Sequence, residues 1–182
     1  MRINEITYQN HLAFNDEDRK TTLHNDICLY LTQSEKIKKM AEFLKIKPIE
    51  NYELKYSSFL SEPIYDCPPR QSYASSKIGG YIDVAYVFET GERIDDGDLK
   101  KYHIFIEVKS QKQNITDIIQ QIKTYRSFAW SNFRIRNHSM EFVLCTAYRL
   151  SKIEKSVLER ENIKWIYIDE ETVKQAFSNL KD

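Results

Sequence analysis

The order of strand-like and helix-like segments predicts an α/β fold in which helices flank a mixed β-sheet. Three observations lead to this fold class. Apolar residues with helical spacing come first, two alternating segments joined by a short acidic stretch follow, and strand-like and helix-like segments then alternate. Strands joined by a short loop pair antiparallel, whereas strands joined through a helix pair parallel. One sheet that contains both kinds of pairing accounts for all three observations.

The first part of the chain is predicted to form two helices, a strand and a long loop. Apolar residues recur with helical spacing from Leu23 to Leu31 and from Ile37 to Leu44, and Pro48 is expected to end the second helix. The segment "YELKYSSFL" alternates weakly, as a strand does. The following "SEPIYDCPPRQSYASSK" is rich in Pro and Ser, which is typical of a loop.

Two strands in the middle of the chain are expected to be antiparallel neighbours. In "YIDVAYVF" the apolar residues alternate onto one face, and Asp83 lies on the other. In "YHIFIEVK" the aliphatic residues share one face, and Glu107 and Lys109 lie together on the opposite face. The intervening "ETGERIDDGDLK" is predicted to be a hairpin loop.

The remainder of the chain is predicted to alternate between helices and buried strands. Asn114 and Asp117 resemble a capping box that begins a helix through about Trp130, and Ser151 with Glu154 resembles a second. The nearly continuous apolar run "MEFVLCTAY" is typical of a strand covered on both faces. A further strand, "IKWIYID", and a closing helix, "EETVKQAFSNL", complete the predicted order.

The length and composition favour one folded domain. We expect residues 1–182 to form a single domain with a full hydrophobic core. An apolar content of 41% with 13% aromatic residues argues against disorder. The 27 basic and 27 acidic residues cancel, so that the net charge indicates no particular partner.

The distribution of charge is more informative than its sum. Acidic residues concentrate in "ETGERIDDGD", and the stretch that follows the second middle strand contains a single acid, Asp117. The basic residues of that stretch are Lys109, Lys112, Lys123, Arg126, Arg134 and Arg136. Such an excess suits an anionic partner such as nucleic acid, and a solvated helix face would show the same residues.

Neither export nor a membrane location is expected from the sequence. The N-terminal "MRINEITYQN" has no apolar core of signal-peptide length, and no later segment approaches the length of a membrane span. The three cysteines, Cys28, Cys67 and Cys145, are scattered and form no C-x-x-C pair. We therefore expect a reducing, cytoplasmic setting.

The acidic residues on the two middle strands suggest a metal site. If the strands are adjacent, Asp83 and Glu107 lie on the same side of the sheet, and two like charges there are unfavourable unless a cation lies between them. Mg²⁺ prefers carboxylate oxygens, backbone carbonyls and water. Asp83, Glu107 and the Val108 carbonyl could supply such a shell, with Lys109 close enough to orient a water or stabilise charge on a phosphate.

These motifs resemble a known superfamily. "GGYIDV" followed by "IFIEVKS" is similar to the signature of the PD-(D/E)XK nucleases, and the predicted αβββαβ order is also the restriction-endonuclease-like core of that superfamily. In "QIKTY", Gln121 and Tyr125 resemble the Q-x-x-x-Y motif of RecB-like nucleases and the similar pair in type I restriction motor subunits. The likeness covers roughly residues 20–170 by architecture, and its motifs occupy residues 79–125.

The resemblance implies a divalent-metal-dependent nuclease that hydrolyses phosphodiester bonds, with DNA as the expected substrate. It implies that Asp83, Glu107 and the Val108 carbonyl bind Mg²⁺ or Mn²⁺, and that Lys109 positions or activates the attacking water. Gln121 would orient that water or the substrate backbone from the same helix face as Tyr125.

Contacts with the substrate are predicted for four residues after the E-x-K strand. Tyr125 belongs to the Q-x-x-x-Y motif, and Lys112, Lys123 and Arg126 belong to the basic stretch. Positive side chains of this kind could follow the phosphates of a DNA strand.

The sequence departs from the superfamily pattern at two points. Ile82 stands before Asp83, where the superfamily name implies Pro. Related nucleases also carry an acid or His in the first helix, and Asp26, His24 or Glu62 could complete the site here. For Asp26 the alternative is a helix N-cap or an exposed turn, and for His24 it is an ordinary surface histidine.

Two other functions are compatible with the same residues. The protein could be a catalytically silent nucleic-acid-binding module, although an intact D, E and K argues against loss of activity. It could also be a nuclease subunit that is active only in a larger complex with a helicase or a recognition partner, and a homodimer is compatible with the sequence too. DNA versus RNA and endo- versus exonuclease action stay open at this stage.

Overall fold

The structure, a computed structural model, describes residues 22–46, 54–58, 66–67, 80–81, 83–93, 99–132 and 139–178. Several residues that the sequence singles out lie outside these ranges, among them Glu62, Ile82, Arg134 and Arg136. The described residues form a mixed α/β fold, which confirms the predicted fold class.

Five helices occur in the described ranges, and they match the predicted helical segments. Their bounds are α1 Thr22–Leu31, α2 Ser34–Phe43, α3 Ile115–Asn132, α4 Lys152–Arg160 and α5 Glu170–Ser178. None of the helices in this part of the chain combines the length and the apolar content that crossing a bilayer requires.

Among the residues that the structure describes, seven strands form two sheets. Their bounds are β1 Leu54–Ser58, β2 Asp66–Cys67, β3 Gly80–Tyr81, β4 Val84–Arg93, β5 Leu99–Lys109, β6 Ser139–Thr146 and β7 Ile163–Tyr167. The larger sheet has the order β1-β4-β5-β6-β7, and β2 pairs with β3 in the smaller one. The pairs β1–β4 and β4–β5 are antiparallel, whereas β5–β6 and β6–β7 are parallel. Together with the helices before and between its strands, the main sheet therefore has the predicted αβββαβ order of a restriction-endonuclease-like core.

The alternation predicted for the E-x-K strand is confirmed by the packing on the two faces of the sheet. Ile104, Ile106 and Val108 pack in a core that also contains residues of α1, α2 and α5. Phe105 lies in the other core, among the apolar side chains of α3 and α4. A hydrogen bond from the buried Tyr86 hydroxyl to a carbonyl oxygen of α1 fastens β4 to the first of these cores.

Two details of the middle strands differ from the sequence prediction. The strand predicted over "YIDVAYVF" is broken at Asp83, because Gly80–Tyr81 pairs with Asp66–Cys67 and only Val84 onward pairs with β5. Part of the predicted hairpin loop is also strand, since β4 continues to Arg93 and β5 begins at Leu99. The register shifts between Glu89 and Arg93, which disturbs the alternation by which a strand is recognised in sequence.

The helix caps agree with the sequence in one case and differ in the other. Ser151 and Glu154 form a complete capping box at the start of α4. At the start of α3, however, Asn114 Oδ1 accepts a hydrogen bond from the Thr116 backbone N–H at 2.8 Å, rather than from Asp117. The short side chain of Asn reaches either of the first free amides of a helix, so the sequence pattern could not decide between them.

Candidate active site

Asp83 lies at the point where β4 begins and is almost fully buried, with 2% of its surface exposed. Its Oδ2 atom accepts a hydrogen bond from the Val108 backbone N–H at 2.9 Å. The antiparallel register pairs Val84 with Ile106, so one further residue places Asp83 opposite Glu107. The break in the strand therefore turns the Asp83 carboxylate toward the backbone of the E-x-K strand.

His24 on α1 is the second group at the Asp83 carboxylate. It is 7% exposed, and its Nε2 atom lies 3.3 Å from Asp83 Oδ1. The expectation of an ordinary surface histidine is therefore wrong, because the His24 side chain is buried beside Asp83. Asp26 lies inside α1 rather than at its N-cap, because the helix begins at Thr22.

The other ring nitrogen of His24 faces its own helix. His24 Nδ1 lies 3.3 Å from Asn25 Oδ1 and 3.7 Å from Cys28 Sγ. One ligand atom each from His24, Cys28 and Asp83 can be chosen so that all lie within 4.8 Å of one another, a grouping that could hold a metal ion. The sequence prediction missed Cys28, although its i+4 spacing from His24 places both on one helix face.

Glu107 and Lys109 form an ion pair with little access to solvent. Lys109 Nζ donates to Glu107 Oε1 at 2.5 Å, and the two side chains are only 12% and 4% exposed, respectively. Charge-assisted hydrogen bonds of this kind are stronger than bonds between neutral groups. Removal of either partner would leave the other charge buried, and this is costly.

Gln121 and Tyr125 continue the hydrogen bonding from Lys109 into α3. Lys109 Nζ also donates to Gln121 Oε1 at 3.0 Å, and Gln121 Nε2 donates to the Tyr125 hydroxyl at 2.6 Å. Both ends of the Gln121 amide thus contact protein groups. The structure places Gln121 against the sheet beside the charged pair, where the sequence predicts it, and joins Glu107, Lys109, Gln121 and Tyr125 in one chain of contacts.

The two carboxylates are compensated by the protein itself. Asp83 contacts the Val108 N–H and His24, while Glu107 contacts Lys109. A cation between the two acids is therefore not required by their proximity alone. Two buried carboxylates and a backbone carbonyl are nevertheless the oxygen donors that Mg²⁺ and Mn²⁺ prefer.

Two of the predicted substrate contacts are engaged in the fold. Lys123 Nζ lies 2.9 Å from Glu161 Oε1, and Arg126 Nη2 donates to the Glu161 carbonyl oxygen at 3.0 Å. Arg126 also lies over the Phe142 ring, 5.2 Å from its centroid. These contacts fasten α3 to the end of α4. The Lys112 side chain, by contrast, is exposed just beyond β5.

Two further titratable groups lie near these residues, and the sequence prediction singled out neither of them for the site. Burial, together with the nearby Asp83 carboxylate, raises the pKa of the Cys145 thiol, which keeps this thiol neutral. Burial also raises the pKa of Tyr148, while the nearby Gln113 backbone and the positive charge of Lys109 act in the opposite direction. No spacing in the sequence connects Tyr148 with Lys109, because the parallel pairing of β5 with β6 brings them together.

Comparisons with known proteins add little to this geometry. No protein-family model matches the chain, and no curated protein sequence matches it. Among solved structures, the chain is similar to one described as the crystal structure of a repair endonuclease from Pyrococcus abyssi, with 17% identity and a TM-score of 0.34. The alignment covers 75% of this chain and 47% of that one, so the chain spans about half the length of that structure. No conclusion about activity rests on a likeness of this size.

Proposed function

We propose that the protein is a divalent-metal-dependent nuclease that hydrolyses phosphodiester bonds in DNA. One observation carries the proposal: Lys109 Nζ contacts both Glu107 and Gln121, and the strand register places Asp83 opposite Glu107. Charged groups are seldom buried in a sheet without a function, and clusters of this kind mark candidate active sites.

Four groups would hold the metal ion in this proposal. They are the carboxylates of Asp83 and Glu107, the Val108 carbonyl and the His24 imidazole. Oxygen donors suit Mg²⁺ and Mn²⁺, and the imidazole favours Mn²⁺ of the two. When bound, the ion would supply Lewis-acid stabilisation of the phosphate and would lower the pKa of water.

Lys109 would act directly on the substrate. The Lys109 side chain is only 12% exposed, so the attraction of its ammonium group for a phosphate oxygen would be weakly screened by solvent. Stabilising the charge that develops on the phosphate is the usual task of such a group. The contact with Glu107 would hold the ammonium at the carboxyl end of β5, facing the bond to be cleaved.

Gln121 is a positioning residue in this proposal. Its carbonyl oxygen accepts from Lys109, and its amide nitrogen donates to Tyr125, so the side chain has a defined orientation. Tyr125 is 4% exposed, which anchors this arrangement in the core between α3 and the sheet. The contacts favour a role in holding Lys109, in place of the direct substrate contact that the motif implies.

The experiment that tests the proposal is cleavage of plasmid and linear DNA with Mg²⁺, Mn²⁺, Ca²⁺ or EDTA. We expect cleavage with Mg²⁺ or Mn²⁺ and none with EDTA. Glu107→Gln should abolish it, whereas the control Glu141→Gln on the neighbouring strand β6 should not. Cleavage in EDTA, or an inactive wild type with every ion, would contradict the proposal. The use of both plasmid and linear DNA also separates endonuclease from exonuclease action.

A further inference from the structure

His24, Cys28 and Asp83, which we call the His–Cys–Asp cluster, contain a donor that a magnesium enzyme does not need. Cys28 Sγ lies 3.7 Å from His24 Nδ1, and His24 Nε2 lies 3.3 Å from Asp83 Oδ1. His24, Cys28 and Asp83 are 7%, 1% and 2% exposed, respectively. A thiol, an imidazole and a carboxylate therefore meet in a space that is nearly closed to solvent.

The donors of the His–Cys–Asp cluster select a different ion from the one in the proposed nuclease site. Thiolate sulfur is a soft ligand that Mg²⁺ does not favour, whereas Zn²⁺ accepts sulfur, nitrogen and carboxylate oxygen together. A thiolate and a carboxylate would balance the two charges of Zn²⁺. Charge balance matters here because the surroundings of Cys28 are the apolar core between the sheet and α1.

The three side chains lie close to the spacing that a tetrahedral ion requires. Zinc bonds to these atoms are about 2.0–2.3 Å long, which places ligand atoms of one ion roughly 3.3–3.7 Å apart. One atom from each residue of the cluster lies within 4.8 Å of the others. His24 Nδ1 faces Cys28 and His24 Nε2 faces Asp83, whereas an imidazole binds a given ion through one nitrogen. A rotamer change of Cys28 or His24 would therefore bring the three ligand atoms to one ion. The i, i+4 spacing keeps both side chains on the same side of α1.

We propose that the His–Cys–Asp cluster is a binding site for Zn²⁺ or a similar thiophilic divalent ion, and that this ion competes with Mg²⁺ or Mn²⁺ for Asp83 and His24. On binding, the Cys28 thiol loses its proton to solvent and the thiolate bonds to the ion. Three protein ligands leave a fourth position for water. The competition rests on the proposed nuclease function, whereas the binding of the thiophilic ion does not.

Cobalt absorption spectroscopy tests the binding without any need for activity. Co²⁺ occupies zinc sites, and a thiolate ligand gives a charge-transfer band in the near ultraviolet. Wild type titrated with Co²⁺ should show this band, and Zn²⁺ should remove it by displacement. Cys28→Ser should lose the band, whereas Cys145→Ser, the matched change at a second buried cysteine, should keep it.

Calorimetry with Zn²⁺ gives the second readout. Loss of a residue that merely supports a ligand costs 10- to 100-fold in metal affinity, so loss of the Cys28 sulfur should weaken Zn²⁺ binding by about 100-fold. Should Cys28→Ser fail to fold, His24→Gln keeps the thiol and should weaken Zn²⁺ binding as well. Equal Zn²⁺ affinity in wild type and in the folded variants would overturn the proposal, and so would a Co²⁺ complex without the thiolate band.

Inhibition of cleavage tests the competition separately. If wild type cleaves DNA with Mg²⁺, low concentrations of Zn²⁺ should inhibit it, and Cys28→Ser should require about 100-fold more Zn²⁺ for the same inhibition. Equal inhibition of both proteins would refute the competition. A wild type that shows the cobalt band but never cleaves DNA would refute the nuclease function and leave the thiophilic site in place.

Discussion

At the scale of single residues, the candidate site combines contacts within one element with a contact between residues that lie far apart in the chain. Glu107 and Lys109 follow from strand alternation, and Gln121 with Tyr125 follows from helical spacing. The burial of His24 does not follow from such a pattern. Its partner Asp83 is far away in the sequence, and no local pattern shows that α1 packs over the start of β4.

Gln121→Ala tests whether this amide holds Lys109 in place. The change removes the acceptor for Lys109 Nζ and the donor to Tyr125, but it leaves both charges of the Glu107–Lys109 pair. We expect the cleavage rate to fall about 10-fold with little change in metal affinity. Single-turnover kinetics and calorimetry with Mn²⁺ are the measurements.

The neighbouring Gln120 provides the matched control, because its side chain is exposed on the same helix. Gln120→Ala should cleave DNA at the wild-type rate. If both variants retained the full rate, the positioning role of Gln121 would be wrong. A large loss of Mn²⁺ affinity in Gln121→Ala would indicate that the amide supports the metal ligands instead.

At the scale of elements, capping and pairing decide where helices and strands begin. The Ser151–Glu154 box is visible in the sequence and forms as predicted. The strand break at Asp83 is not visible there, because it depends on the pairing of Gly80–Tyr81 with the distant Asp66–Cys67. Local patterns therefore predict the elements, and tertiary pairing decides the bounds that position the carboxylate.

Glu154→Ala should destabilise the protein through the start of α4. The Glu154 carboxylate accepts from the Ser151 backbone N–H at 2.7 Å, and this bond lowers the pKa of Glu154 from its ordinary value of 4.5. Loss of a cap costs about 1 kcal/mol, measurable by urea denaturation at pH 7. The exposed Glu159→Ala on the same helix should change stability much less.

The same bond makes the effect of Glu154→Ala depend on pH. Since the pKa of Glu154 is lower in the folded chain than in the unfolded chain, its contribution to stability is present above pH 4.5. That contribution is lost as the pH falls through the lower, folded value. The difference between wild type and Glu154→Ala should therefore shrink in acid, and a constant difference from pH 7 downward would contradict this assignment.

The basic residues near α3 include one that is exposed and one that forms an ion pair within the fold. Lys112 precedes the helix and is exposed, whereas Lys123 contacts Glu161. If Lys112 contacts a DNA phosphate, Lys112→Ala should reduce the salt dependence of binding to duplex DNA by about 0.9 in the log–log slope. Lys123→Ala should leave that slope unchanged. Fluorescence anisotropy over a range of salt concentrations gives the slope for each variant. Equal slopes for wild type and Lys112→Ala would exclude the phosphate contact.

At the scale of the whole molecule, the sheet separates two apolar cores, and the candidate site lies at the start of β4 and the end of β5. Apolar periodicity predicts which faces are buried, because it reflects the environment of each element directly. It does not predict which helix covers which residue of the sheet. The placement of α1 beside Asp83 and of α3 beside Lys109 is therefore a property of the assembled fold.

Ile118→Ala should show that α3 depends on the core beneath it. Ile118 is 1% exposed within the core that also contains Phe105, and Ile153 on α4 is 78% exposed. The buried change should lower the free energy of unfolding by about 2–5 kcal/mol. The same substitution at Ile153 should change it by less than about 0.5 kcal/mol. Similar losses for both variants in urea denaturation would contradict the packing described for α3.

The central claim is that Asp83, at the start of β4, and the charged residues of β5 hydrolyse DNA, and the cleavage rate of Lys109→Ala tests it most directly. The change removes the positive charge and leaves both carboxylates, so Mn²⁺ should still bind in calorimetry. Loss of one positioned electrostatic group should slow single-turnover cleavage by about 100-fold or more, while DNA affinity measured in Ca²⁺ stays close to that of wild type. Thermal unfolding would verify that the variant is folded. A folded Lys109→Ala protein that cleaves DNA as fast as wild type would contradict the mechanism.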